Sequence, residues 1–125
     1  MPLVNVVLSG EVRKLPAELQ RMREVGLSAV GVTLALERRA AQLATLSGKL
    51  APGGDINALL DRERVFFRDK RDLNTQLRRW NAQKLDRLVI RLADLHRMVL
   101  ANSQSADLLL AQSLTQIVRF AAVRR

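Results

Sequence analysis

The chain has no cysteine and no tyrosine, and one histidine, one tryptophan and three prolines in 125 residues. Without cysteine, disulfide staples and thiolate metal sites are excluded, and a reducing compartment fits. The single histidine, His96, cannot build a multi-histidine metal site, and any Ser/His/Asp chemistry would have to run through it alone. Aromatics make up 3% of the chain, so Leu and Ala must fill the core, and both are helix-compatible. No apolar run approaches the ~20 residues of a membrane span. Met1-Pro2-Leu3-Val4 has neither a basic n-region nor a cleavage signal, so no secretory leader is expected and the cytoplasm is the expected location. Phosphate-cradle chemistry is equally unsupported. Ala51-Pro52-Gly53-Gly54 contains a glycine pair but no GxxxxGK[ST] pattern and follows no strand, so it reads as a turn.

What is present is apolar bulk and positive charge. Hydrophobic residues are 48% of the chain, normal for a globular protein and too many for a disordered one. The length suits one domain with a modest core. The net charge of +9 favours an anionic partner, either nucleic acid or an acidic protein face, although a basic surface also serves solubility.

The apolar periodicity is helical throughout, with no credible strand and no internal repeat. Residues 1–10 are apolar up to Gly10 and are expected to be a linker or the remnant of a preceding domain, with residues 11–125 forming the helical domain. A helix is expected from Leu15 to Val25, with Pro16 in its first turn, Gly26 as its stop, and an apolar face of Leu15, Leu19 and Met22. Ser28 caps the next helix, which ends near Ser47-Gly48, and Asp55 caps a short one that fades at Arg62 to Arg64. Asn81 caps a leucine-rich helix carrying Leu85, Leu88, Val89, Leu92, Leu95 and Val99. After a break at Asn102 to Ser105, with Ser105 able to cap again, a last helix runs from Ala106 to about Val123. That helix is apolar nearly all round, so it must be central or lie against a partner.

The most informative segment runs from Val65 to Leu85, VFFRDKRDLNTQLRRWNAQKL. Phe66, Leu73, Leu77 and Trp80 are spaced for one helical stripe, which with Leu85 and Leu92 is expected to be core. Arg64, Arg68, Arg71 and Arg78 fall opposite. The wider basic set of Arg64, Arg68, Lys70, Arg71, Arg78, Arg79, Lys84, Arg87 and Arg91 is the best binding candidate, and Arg68, Lys70, Arg71, Arg78 and Arg79 are the residues expected to meet DNA if DNA is met. The carboxylates Asp61, Glu63, Asp69 and Asp72 are interleaved with Arg and Lys, which describes a solvated, ion-paired helix face better than an acid–base pair. No nucleophile or proton-transfer partner is signalled for His96. No catalytic, cofactor-binding or metal-ligating residues are expected.

These residues resemble the C-terminal domain of the delta subunit of the bacterial DNA polymerase III clamp loader. Ser28-Ala29-Val30-Gly31-Val32-Thr33-Leu34-Ala35-Leu36-Glu37-Arg38 is similar to a helix of that family. A Gly/Pro loop and short helix follow, as in the family. Then come Val65-Phe66-Phe67, Lys70 and Gln76-Leu77-Arg78-Arg79-Trp80-Asn81, again in the family's order, before a leucine-rich helix and a last apolar helix. The similarity extends from about Leu8 to the end, and order and spacing carry it more than any single motif. One departure is that the family often has an acidic residue and a lysine four apart on the penultimate helix, where this chain has His96 and Leu100.

The resemblance implies an all-α fold, a single domain of about five to seven helices, and a non-catalytic role in oligomerisation. In that family the domain joins its counterparts in the gamma/tau and delta-prime subunits to form a circular collar. The sliding clamp is gripped by N-terminal domains outside this chain, and the delta subunit does not hydrolyse ATP. On this expectation the chain takes no cofactor, is not itself an enzyme, and belongs to a DNA-replication holoenzyme. Leu109, Leu110, Leu114, Ile117 and Val118 would then divide between core and collar contact. The alternatives left open by the residues are a stand-alone basic helical nucleic-acid-binding protein and a helical adaptor or chaperone of another assembly.

Overall fold

Three side chains start three helices. Ser28 Oγ accepts the Gly31 N–H at 3.0 Å, Asp55 Oδ1 accepts those of Asn57 at 2.9 Å and Ala58 at 3.3 Å, and Asn81 Oδ1 accepts that of Lys84 at 2.9 Å. Each takes up N–H groups that an α-helix leaves without an internal partner. Ser105 makes no such bond. Its backbone is at φ −104°, ψ 7°, whereas Ser28 is extended at φ −80°, ψ 152°, the conformation that turns a capping oxygen onto the first turn.

The computed structural model describes residues 1–123. Among them it holds seven α-helices and no strand: α1 (Pro2–Leu8), α2 (Leu15–Glu24), α3 (Ala29–Lys49), α4 (Ile56–Arg62), α5 (Lys70–Arg79), α6 (Ala82–Ala101) and α7 (Ala106–Ala122). Short 3-10 turns lead into α2, α5 and α7. The two longest helices, α3 and α6, form the most extensive helix–helix contact, and α7 packs against α1, α2, α3 and α6. The all-α single domain expected from periodicity is therefore the observed one.

One core joins all the helices. Leu73, Leu77, Trp80, Leu85 and Leu92 are buried in it, as their spacing predicts. Burying a leucine of this kind contributes about 1.5–3 kcal/mol. Two expectations are corrected. First, residues 1–10 do not lie outside the helical domain: Leu3, Val4, Val6, Val7 and Leu8 are all buried in the same core, and α1 contacts α2, α3, α5 and α7. Five apolar residues in seven-residue α1 cover almost the whole helix surface, which is stable only when neighbours surround it. Second, Phe66 is not in the core stripe. It is 63% exposed, because the chain between α4 and α5 is not α-helical. Arg64 is in the left-handed region at φ 56°, and residues 67–69 form a 3-10 turn. A seven-residue spacing places two side chains on one face only along a continuous α-helix.

Gly10 ends α1. Its φ is +73°, and a Cβ there would lie 2.8 Å from the Ala122 nitrogen and 2.9 Å from its Cα. The left-handed turn lets the Gly10 N–H reach Val7 O and the Glu11 N–H reach Val6 O, a Schellman stop that brings α1 against the end of α7. Gly10→Ala would add both backbone strain and a steric clash with α7, so it is expected to lower stability by about 2 kcal/mol. Urea unfolding followed by circular dichroism reads this, and a loss below about 0.5 kcal/mol would show that the two helix ends are not packed as described.

Candidate interaction surfaces

The Gln76-Leu77-Arg78-Arg79-Trp80 motif at the end of α5 is divided between the interior and the surface. Gln76 is fully buried. Its amide donates to Asn5 Oδ1 at 3.0 Å and to Ser9 Oγ at 3.2 Å, and its carbonyl accepts from Arg39 at 3.0 Å. Arg39 also donates to Asn5 Oδ1 at 2.6 Å, closing a polar triangle across α1, α3 and α5. The Trp80 indole N–H donates to the Leu8 carbonyl at 2.8 Å. Arg79 donates to the carbonyls of Ala121 at 3.4 Å and Ala122 at 3.2 Å, satisfying the last turn of α7 with a cation where the helix dipole is negative. Leu77 is core and Arg78 is exposed. Three of the five residues, Gln76, Arg79 and Trp80, thus tie α5 to α1 and to the end of α7.

This placement reduces the set of cations free to meet DNA. Arg79 is engaged by α7, and Lys70 pairs with Asp61. Arg68, Arg71 and Arg78 remain exposed, and none of the three pairs with a carboxylate among the described residues. Beside them lie two aromatics that the sequence reading placed inside or left unassigned. Phe67 is 83% exposed, and the Arg68 guanidinium sits 5.9 Å from the centre of the exposed Phe66 ring. Exposed rings beside unpaired guanidiniums are what base stacking along a nucleic-acid strand requires.

The α7 candidates are mostly interior. Leu110, Leu114, Ile117 and Val118 are buried and Leu109 is half-buried against the core, so α7 is apolar because it is central. The exposed large apolar residues of this helix are Leu108 and Phe120. Leu34 on α3 and Val89 and Leu100 on α6 are also exposed, and helical spacing puts Val89 and Leu100 on one edge of α6, which marks out a different apolar strip. Glu37 and His96 meet across the two helices at 2.8 Å between Oε1 and Nδ1. Leu34 lies three residues from Glu37, and Leu100 lies four from His96, so each shares a helix edge with its half of the pair. The signal for this strip was present in the sequence as the departure at His96 and Leu100, but Glu37 as the partner was not.

His96 has no further side-chain hydrogen bond among the described residues. An imidazole–carboxylate pair becomes a hydrolytic site only when a nucleophile meets the other ring nitrogen. The described residues contain no group of three or more His, Cys, Asp or Glu placed to hold a metal ion. No helix among them is long and apolar enough to cross a membrane.

A groove lies between α6 and α7. It has a volume of ≈ 440 Å³ and is lined by Trp80, Lys84, Arg87, Ile90, Arg91 and Phe120 among others. Trp80 and Phe120 meet at its floor with ring centres 5.6 Å apart, and the Lys84 ammonium stands 5.3 Å from the Phe120 ring centre. Compared with protein-family models, curated proteins and solved structures, the chain matches none.

Proposed function

We propose that this chain is a non-catalytic assembly domain, the helical collar segment of a bacterial clamp-loader delta subunit, taking part in replication by holding that subunit among its gamma/tau and delta-prime neighbours. The observation that carries the reading is that Ser28, Gln76, Arg79, Trp80 and Asn81, among the residues that bear the family resemblance, organise the fold. Ser28 and Asn81 cap the two longest helices, and Gln76, Arg79 and Trp80 join α1, α3, α5 and α7. A match in order and spacing is most meaningful where each matched residue has a structural task, because those tasks depend on the spacing. The exposed strip of Leu34, Val89 and Leu100 takes the place of the interior α7 residues as the proposed subunit contact, since apolar surface clustered on one face marks an interface. The proposed location is the cytoplasm, where replication proceeds.

The test is reconstitution with purified gamma/tau and delta-prime subunits of a bacterial clamp loader. The chain is expected to co-elute with them at micromolar concentration. Leu34→Asp combined with Leu100→Asp is expected to weaken the complex at least about tenfold while leaving the helical signal intact. Absence of any complex would remove the assembly reading.

A second reading, contact with single-stranded DNA, is favoured by Phe66 and Phe67 standing exposed beside Arg68 and Arg71. In the assembly this would put part of the collar against the strand being copied. Fluorescence anisotropy with a labelled oligonucleotide would show weak, salt-sensitive binding that falls at least about fivefold when both phenylalanines become alanine.

A further inference from the structure

We propose that the groove between α6 and α7 is a docking site for an acidic segment of a partner protein that inserts one aromatic or aliphatic side chain between Ile90 and Phe120. The floor is apolar: Trp80, Leu88 and Ile117 are buried beneath it, while Ile90 is 64% and Phe120 41% exposed at its surface. One wall carries Lys84, Arg87 and Arg91, spaced three and four apart on one side of α6. None of these three cations meets a carboxylate among the described residues. Arg91 instead hydrogen-bonds Gln116 across the groove. The one carboxylate at the rim, Asp94, is paired with Arg97.

Unneutralised cations over two helical turns span about 10 Å, a distance matched by carboxylates three to seven residues apart on a partner helix. Charge alone would also suit a phosphate backbone, but a phosphate backbone has no use for an apolar floor. The ring that a base would stack on, Phe120, already contacts both the Lys84 ammonium and the Trp80 ring. An acidic peptide with an apolar anchor satisfies both the wall and the floor, which is how apolar grooves with a charged rim select partners. This inference is independent of the assembly role. It uses the opposite side of α6 from Val89 and Leu100, and its test needs no clamp-loader subunit, so either reading can fail without the other.

The test is to pan a random twelve-residue peptide library against the full chain. Recovered peptides are expected to combine two or more Asp or Glu with a Phe, Leu or Ile, and to shift the emission of Trp80 when bound in solution. The Lys84→Glu, Arg87→Glu, Arg91→Glu variant is expected to bind them at least about tenfold more weakly. Ile90→Ser, an exposed site whose change leaves the fold unaltered, is expected to lose several-fold. Arg71→Glu with Arg78→Glu, on α5, is expected to stay within about twofold. Recovery of no peptides, of peptides without acidic bias, or of peptides indifferent to both groove variants would overturn the proposal. So would a twelve-nucleotide oligothymidine that binds through Lys84, Arg87 and Arg91 more tightly than any recovered peptide, which would assign the groove to single-stranded nucleic acid.

Discussion

Trp80→Ala is expected to destabilise the domain by about 3–5 kcal/mol, the largest effect of any single substitution considered. Three losses act together. The indole is 3% exposed, so its removal leaves a cavity that the surrounding Leu and Ile side chains fill only in part. Its N–H no longer satisfies the Leu8 carbonyl, which it now meets at 2.8 Å, and a buried acceptor without a partner costs about 1–3 kcal/mol. The tilted contact with Phe120 also disappears. Trp80→Phe separates these terms, because it retains most of the apolar volume and loses the donor. It is expected to cost about 1–2 kcal/mol. Urea unfolding monitored by circular dichroism measures both, since neither variant retains a tryptophan to report. An alanine loss well under 1 kcal/mol would mean that Trp80 does not anchor α1.

Helix starts were legible in the sequence because capping is local. Ser28, Asp55 and Asn81 each act on an N–H two or three residues away, and the residue type and the following apolar spacing are enough to find them. Trp80 and the leucines of α5 and α6 were legible because a helical stripe is also a local pattern. Phe66 was misplaced for the same reason: its spacing to Leu73 fits a stripe, but a left-handed residue at Arg64 and a 3-10 turn at residues 67–69 interrupt the helix that the spacing assumes. Burial of α1 depends on α2, α3, α5 and α7, whose positions no local pattern conveys. An apolar segment at the start of a sequence reads the same whether it is a stub or a core helix.

The surfaces follow a similar division. That α7 is too apolar to be exposed was readable, but whether its neighbours come from the same chain or another was not, and Leu110, Leu114, Ile117 and Val118 are covered from within. The basic residues were readable as a set. Their separation into Arg79 on the α7 carbonyls, Lys70 on Asp61, free guanidiniums on α5 and a cationic wall on α6 is a matter of tertiary contacts. Glu37 and His96 are 59 residues apart in the sequence, and nothing near either one signals the other.

Gln76→Ala is expected to cost about 3 kcal/mol, although no charge is removed. Gln76 is fully buried, and among the described residues no buried side-chain polar atom lacks a partner. Removing its amide and carbonyl leaves Ser9 Oγ without its donor and takes one acceptor from Arg39, and it opens a cavity at the junction of α1, α3 and α5. Arg39→Ala should cost less, about 1–2 kcal/mol, because Arg39 is only partly buried and the amide of Asn5 and carbonyl of Gln76 lie near enough to its site for water to replace it. If the three side chains form one network, the double variant Arg39→Ala, Gln76→Ala will be less destabilised than the sum of the singles, with a coupling of about 1 kcal/mol. Strict additivity would make Gln76 a packing residue alone. A coupled result would make this polar junction, together with the Trp80 and Arg79 bonds, the device that fixes α1 in one orientation. A purely apolar contact could not fix it so well, because apolar helices slide over one another at little cost and hydrogen bonds of this geometry do not.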